Sequence, residues 1–408
     1  MPSAQYPTSH VRITIVSQYF APEAGATQNR LAAFTDGLVS HGHDVTVLCE
    51  QPCHPAGVFQ PGFGRRPVYM QRAPHCTVRR LWVAASPTKS VRRRLAFYAT
   101  FAGGAAAALA VGRRPDVVFA SSPPLPAVLG VAAVARVRRI PLVVDVRDIW
   151  PAAAEALGEL SNPRVLAFFG RAERALYEQA HSVTATTRPF CRHIDAVAGR
   201  AVSVHLPNGA LDELAELDLV PPPSRSEFVV GYAGNLGIAQ GLGIMLDAAS
   251  ALRQQPVRFV LVGDGAVKPQ LEQDAQARGL GNVMFRPGVP VSEVGAFLQW
   301  CDALLVPLRD HELLGDFIPS KLYDAMAVGR PALAALRGEG AELVSRTGSG
   351  IVVEPENGSQ LAAAIERLRT QPELARELGA AGREAAKGMT RSLQVDTLDA
   401  VLRSAAQH

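Results

Sequence analysis

Leu219-Val220-Pro221-Pro222-Pro223-Ser224-Arg225-Ser226-Glu227-Phe228-Val229-Val230-Gly231-Tyr232-Ala233-Gly234-Asn235-Leu236-Gly237 divides the chain. Three consecutive prolines fit neither a helix interior nor a central strand, and the acidic stretch Asp212 to Asp218 precedes them. Directly afterwards Phe228 to Tyr232 begins a new series of short apolar runs, continued by Phe259 to Val262, Val283 to Phe285, Ala303 to Val306, Pro331 to Ala335 and Ile351 to Val353. The part before the break shows the same rhythm: Val11 to Val16, Val45 to Leu48, Val117 to Ala120, Leu142 to Val144 and Val202 to Leu206 read as buried strands. Stretches with helical spacing separate them, among them Gln28 to Ser40, Leu125 to Val137 and Arg164 to Ala180. Such alternation predicts parallel sheets covered on both faces, hence an α/β protein of two doubly wound domains. We expect a first domain over 1–206, a linker over 207–226, a second domain over 227–388 and a C-terminal helix over 389–408. Ligands of open α/β sheets bind outside the carboxyl ends of the strands, so a cleft between the domains is the expected site.

The chain has 408 residues and a formal net charge of +4, a near-neutral total that argues against a dedicated nucleic-acid binder. The sum hides a split. Residues 1–205 hold 23 Lys and Arg against 12 Asp and Glu, whereas residues 206–408 hold 18 against 25. The five cysteines, Cys49, Cys53, Cys76, Cys191 and Cys301, lack the paired spacing of a zinc site or a disulfide framework. Met1 to His10 is polar, and Val11 to Phe20 is too short for a signal peptide's layout. Leu95 to Val111 is apolar, Ala-rich and flanked by Arg92, Arg93, Arg94, Arg113 and Arg114. It is shorter than the roughly 20 residues of a membrane span. A buried helix is the first expectation; a helix resting on anionic headgroups is the alternative.

Polar clusters fall at the predicted strand ends. Tyr19-Phe20-Ala21-Pro22-Glu23-Ala24-Gly25-Ala26-Thr27 is a turn before a helix, where the small Gly25 and Ala26 let a ligand approach and the opening amides favour an anion. Val144-Asp145-Val146-Arg147-Asp148-Ile149-Trp150-Pro151 ends a strand with two carboxylates, a guanidinium and an aromatic ring. In the second half, Gly234, Asn235, Gly237 and Gln240 follow a strand, and Val262-Gly263-Asp264-Gly265 ends another. The glycines do not form a dinucleotide fingerprint, which argues against nicotinamide or flavin chemistry. Asp316-Phe317-Ile318-Pro319-Ser320-Lys321-Leu322-Tyr323-Asp324 places Pro319, Ser320 and Lys321 at a helix start, where amides, dipole and ammonium together suit a phosphate. Asp324, a turn later, and Asp316, just before the helix, can each accept from sugar hydroxyls.

In order, these motifs resemble the retaining nucleotide-sugar transferases of glycosyltransferase family 4, which have the GT-B fold. Within that family they are most similar to the L-fucosamine-transferase-like enzymes of cell-surface polysaccharide assembly. His41-Gly42-His43-Asp44-Val45, Ser122-Pro123-Pro124, Arg147 to Pro151 and Pro319-Ser320-Lys321 also carry the resemblance. It implies that the family's paired glutamates fall on Asp316, toward the transferred sugar, and Asp324, toward the ribose. Asn235 and Gln240 would occupy the places of a basic pair that holds the donor diphosphate, leaving Lys321 to supply the charge. Asp148, Asp316 and Arg147 are the implied catalytic groups. Gly25, Ala26, Gly234, Asn235, Gly237, Gln240, Gly263, Pro319, Ser320, Lys321 and Asp324 would hold the donor, and Glu23 and Trp150 would face the acceptor or the cleft.

The reaction implied is transfer, with retention, from a nucleoside diphosphate sugar, expected to be a UDP-sugar, to a hydroxyl of a lipid-linked glycan. No metal or other cofactor is implied. Partners are the nucleotide sugar, the acceptor and an anionic membrane surface, with no nucleic acid; the location implied is cytoplasmic, at the inner membrane face. A transferase decorating a soluble small molecule or natural product, and a catalytically silent nucleotide-sugar-binding protein, are the competing readings. An epimerase or a dehydrogenase fits the residues less well.

Overall fold

Short apolar runs punctuated by glycine and proline become the strands of two separate sheets. The computed structural model describes residues 10–407 except 24, 55, 89 and 153–161, so the polar start over 1–9 and Ala24 of the Tyr19–Thr27 turn lie outside it. The chain forms two compact units, residues 1–207 with 392–408, and residues 208–391.

The first unit contains β1 (Arg12–Val16), β2 (Asp44–Glu50), β3 (Val68–Ala73), β4 (Cys76–Leu81), β5 (Val117–Ser122), β6 (Leu142–Val146), β7 (Ser182–Ala185) and β8 (Ser203–His205). Their order is β3-β4-β2-β1-β5-β6-β7-β8. Every pair is parallel except β3 with β4, so the uniformly parallel sheet expected from the sequence carries an antiparallel edge. Val68-Tyr69-Met70-Gln71-Arg72-Ala73 is mostly exposed and mixed in polarity, and lacks the buried apolar run that marks the other strands.

The second unit contains β9 (Phe228–Ala233), β10 (Val257–Val262), β11 (Val283–Arg286), β12 (Ala303–Pro307), β13 (Ala332–Ala335) and β14 (Gly350–Val353). Ordered β11-β10-β9-β12-β13-β14, they form the doubly wound arrangement of dinucleotide-binding folds. Alternation explains the two cores. Val230, Tyr232, Phe259 and Leu261 pack on one face, while Val229, Val260, Val262 and Leu304 pack on the other. In each unit the strand order reverses beside the first strand, between β1 and β5 and between β9 and β12. The loops after those four strands therefore flank the crevices in which ligands of such sheets sit.

Two helices depart from the sequence reading. Val91–Val111 packs through Phe101, Ala105 and Leu109, but Leu95 is 58% exposed and Val111 87%, so it is not the buried helix first expected. The buried positions recur every four residues along one stripe of the cylinder, the positions beside it are half-buried, and those opposite it are exposed. The last helix, Arg391–Ala406, has no partner legible in the sequence, yet Val395, Leu398, Leu402 and Ala405 join the first unit's core beside Leu31, Phe34 and Leu38.

Asp399 fixes that helix, accepting from His43 (2.8 Å), from His41 (3.2 Å) and from Arg403 (2.9 Å). These donors outweigh burial and hold the carboxyl at about 2. Because the folded value lies below the unfolded one, the stabilisation is present at neutral pH and fades as the pH falls from about 4 toward 2. Asp399→Asn should lower stability at pH 7 by on the order of 2 kcal/mol. Thermal unfolding followed by circular dichroism should show the gap to the wild type closing over that acidic window.

Candidate active site

In the second unit the site grows from the switch point. β9 ends at Ala233, and Gly234 follows with φ +132°, a conformation that side-chain-bearing residues rarely adopt. A Cβ at Gly234 would lie 2.6 Å from Lys321 Cε, so the lysine stem occupies the space the glycine leaves. The Lys321 ammonium also sits 5.2 Å from the centre of the Tyr232 ring, and Tyr232 Oη donates to the Asn235 carbonyl at 2.6 Å. Gly263, with φ +146°, is packed against the Gly234 carbonyl with no room for a side chain.

Lys321 belongs to the helix Ser320–Ala327, which Pro319 precedes in extended conformation and which opens without a side-chain cap. With no side-chain cap among the described residues, its first amides and its dipole favour an anion. Asp316 ends the 3₁₀ turn Glu312–Asp316 that leads into this helix and is half-buried. Asp324 lies one turn beyond Lys321. Both line a cavity of about 40 Å³ with Gly231, Ala233 and Val306. Burial pushes the Asp324 carboxyl up to about 6 against the pull of Arg391, the Leu211 amide and Lys321, and its Oδ1 has no hydrogen-bond partner among the described residues. Burial likewise draws the Lys321 ammonium below its ordinary value, with Asp324 opposing.

Gln240 Oε1 accepts from the Gly237 amide at 3.1 Å, closing the short turn Ile238–Gln240. A carboxamide so used orders the loop and adds no charge, and Asn235 lies beside it against Gly237. Lys268, which the sequence reading overlooked, donates to the Gly263 carbonyl at 3.0 Å and to Asp264 at 2.9 Å. It pins the loop after β10.

The first unit presents its polar groups after β1, β5 and β6. Gly25 is the extended residue before the helix Ala26–Ser40, which also opens without a side-chain cap. Arg147 is braced from four sides: it donates to Ser121 Oγ (2.9 Å), to Thr27 Oγ1 and to the Pro123 carbonyl (3.2 Å), and lies 3.9 Å from Asp145. Its guanidinium thus links the loops on both sides of the β1–β5 switch point. Burial lowers its proton affinity, while Asp145 and Asp148 oppose. Asp148 follows directly, and Trp150 packs edge-on against Phe169 with centroids 4.5 Å apart.

Glu23 does not face outward. It is buried, and its Oε1 accepts from the amides of Cys53 and His54, both at 2.7 Å. Arg30 and Asp145 carry a role that the sequence reading missed. Arg30 falls on the stripe with Leu31, Phe34 and Leu38, and a charge among those residues was the available signal for a buried partner.

Two open, doubly wound α/β sheets with small-residue loops at their switch points fit a two-domain glycosyltransferase of the GT-B architecture. Residues 25–209 match the Glycosyl transferase 4-like domain, and residues 227–371 match Glycosyl transferases group 1. The chain belongs to the family 4 glycosyltransferases. A relative is the putative colanic acid biosynthesis glycosyl transferase WcaI of Escherichia coli K12, 26% identical over 384 residues, which cover 89% of this chain and 93% of that one. Another is the GDP-mannose-dependent alpha-(1-6)-phosphatidylinositol monomannoside mannosyltransferase of Mycobacterium tuberculosis, 25% identical with 96% and 97% covered. Among solved structures, sucrose-phosphate synthase of Thermosynechococcus elongatus has a TM-score of 0.76 at 19% identity, covering 97% of this chain and all of that one. HepE of Anabaena, in complex with UDP-glucose, has a TM-score of 0.68 at 17% identity, covering 97% and 100%.

The Gly234–Lys321 contact makes a direct test. Gly234→Ala would strain the backbone and displace the ammonium. A misplacement of about 1 Å can cost roughly 100-fold, so transferase kcat/KM should fall by about that factor while circular dichroism stays native. Activity within about twofold of wild type would show that the lysine is not held for the reaction.

Proposed function

We propose that the enzyme transfers a sugar, with retention, from a UDP-sugar to a hydroxyl of a lipid-linked glycan at a membrane surface. The observation that carries the donor half is the Lys321 ammonium held against Gly234 beside the uncapped start of the Ser320–Ala327 helix. As the anomeric C–O bond breaks, negative charge develops on the departing diphosphate, and preorganised amides and ammonium stabilise it. The acceptor oxygen bonds to the anomeric carbon on the same face, and its proton passes to the leaving phosphate. Asp316 would orient hydroxyls of the sugar, and Asp324 would take the ribose. Charge on the phosphates is met by Lys321 and helix amides, so this reading needs no metal in the transfer step.

Uridine as the base is supported by the UDP-glucose complex of the structurally similar HepE, whereas the mannosyltransferase relative is named for GDP-mannose. A thermal-shift panel of UDP-, GDP- and ADP-sugars should give its largest stabilisation with a UDP-sugar. Lys321→Met should then lower turnover at saturating donor by about 100-fold, the scale seen when one charge-stabilising group is removed. Unchanged turnover would remove Lys321 from the reading. Nucleoside diphosphate release that depends on acceptor excludes a silent binding protein.

The acceptor half rests on the helix Val91–Val111. Opposite its buried stripe lie the exposed Leu95, Ala99, Gly103, Ala107 and Val111, with exposed Arg92, Arg93 and Arg94 at its start. An apolar face with a cationic end suits the interface of an anionic bilayer on the cytoplasmic side. The full chain should co-float with vesicles containing phosphatidylglycerol at low salt, and a variant carrying Arg92→Glu and Arg93→Glu should not. Equal flotation of the two would place the contact elsewhere.

A further inference from the structure

At the carboxyl ends of β1 and β2, three buried side chains converge that the transfer reading leaves unused. They are Glu23 from the turn after β1, Glu50 at the end of β2, and Cys53 three residues on. One ligand atom from each lies within 4.8 Å of the other two. Cys53 Sγ is 3.6 Å from Glu50 Oε1, and Glu23 is held by the Cys53 and His54 amides.

The polar accounting around this cluster does not close. Gln18, 1% exposed, donates from Nε2 to Glu50 Oε2 at 2.9 Å, which brings its amide head to the cluster and leaves Oε1 without a hydrogen-bond partner among the described residues. Glu23, 6% exposed, has Oε2 without a partner in hydrogen-bonding geometry among the described residues, although the Gln28 side chain lies beside the carboxyl. Arg80 is the cation whose charge reaches Glu23, but its donors go to Gln71, the Ala21 carbonyl and Cys49 Sγ. Two carboxyls and a thiol buried this closely are costly unless a positive charge joins them or they stay protonated.

We propose that Glu23, Glu50 and Cys53 form a binding site for a zinc-like divalent cation, with Gln18 orienting Glu50. Carboxylate oxygens and a thiolate are the mixed donor set that such a cation takes. On binding, the Cys53 thiol and any protonated carboxyl lose their protons to solvent, the metal bonds replace those O–H and S–H bonds, and no electrons move. The consequence is mechanical: the ion would clip the turn that leads to Gly25 and Ala26 onto the end of β2. It would brace the loop and take no part in the transfer step.

Cobalt substitution tests the assignment in the full-length, metal-stripped protein. Co²⁺ should give a near-ultraviolet thiolate-to-metal band that saturates at one equivalent and is displaced by Zn²⁺. Cys53→Ser should abolish the band, Cys76→Ser should keep it, and Gln18→Leu should weaken zinc affinity by about 10- to 100-fold, as loss of a ligand-orienting partner does. The exposed group His10, Asp44 and His75 is a competing location, also with ligand atoms within 4.8 Å of one another. Because it offers only nitrogen and oxygen, metal bound without a thiolate band would assign the ion there and overturn the proposal. Absence of the band in wild-type protein at saturating Co²⁺ would overturn it as well, whatever the variants do.

Discussion

Asp145 is the fixed point of the first unit. It is fully buried at the end of β6, accepting from Thr184 of β7 at 2.9 Å, from Ser121 of β5 at 3.0 Å and from Arg30 at 3.2 Å. Arg30 passes the constraint on by donating to the Leu206 and Pro207 carbonyls at 2.8 and 2.7 Å. One carboxylate therefore ties three strands, the helix Ala26–Ser40 and the end of the segment after β8. A buried ion pair seldom exceeds an apolar cluster of equal volume in stability, so its value here is positional. Breaking it would leave an uncompensated charge, and that penalty holds the strand ends in register. Arg147 rests on the same group and carries the order outward to Thr27 and Pro123, where loops can be chemical because their roots are rigid.

The second unit solves the equivalent problem differently. Lys321 and Asp324 are one turn apart on a helix, both desolvated, and Asp324 keeps an oxygen without a partner. An isolated enzyme gains little stability from such a pair. On the proposed reading, the arrangement suits a site whose charges are completed by a ligand, because the desolvation cost is already met before the ligand arrives. Gly234 and Gly263 follow the same logic: each accepts a positive φ so that backbone and lysine stem can close together.

What could be read from sequence followed burial. Strands such as Ala303–Pro307 and Ala332–Ala335 are apolar throughout and announce themselves, Leu142–Val146 and Val257–Val262 are apolar but for Asp145 and Arg258, and the helix Leu125–Val137 has the bounds its spacing predicts. β3 was missed because its exposed face gives no pattern, and β7 because Ser182-Val183-Thr184-Ala185 is short and half polar. The last helix could not be placed, since its partner residues Phe34 and Leu38 lie more than three hundred positions earlier. At the site, residue types were legible but their duties were not. Arg147 reads as a catalytic group and Gln240 as a donor contact, and the structure gives both internal partners. Glu50, an ordinary strand-end glutamate in sequence, gains its meaning from Cys53 and Glu23 across a fold that no spacing rule describes.

The charge split also changes meaning once side chains are placed. The first 205 residues carry 23 basic against 12 acidic groups, but some of those arginines are engaged by partners within the unit. Arg30 and Arg147 converge on Asp145, Arg12 pairs with Asp116 at 2.5 Å, and Arg138 and Arg200 are spent on backbone carbonyls. Their fields are local, and they fasten strand ends and helix ends to one another. The outward charge is carried by exposed residues such as Arg65, Arg66, Arg92, Arg93, Arg94 and Arg113. Attraction to anionic lipid decays within about 8 Å at physiological salt, so a total summed over the half-chain cannot direct docking. For the docking proposed above, what counts is a cationic cluster adjoining an exposed apolar stripe, and the start of the helix Val91–Val111 provides that combination.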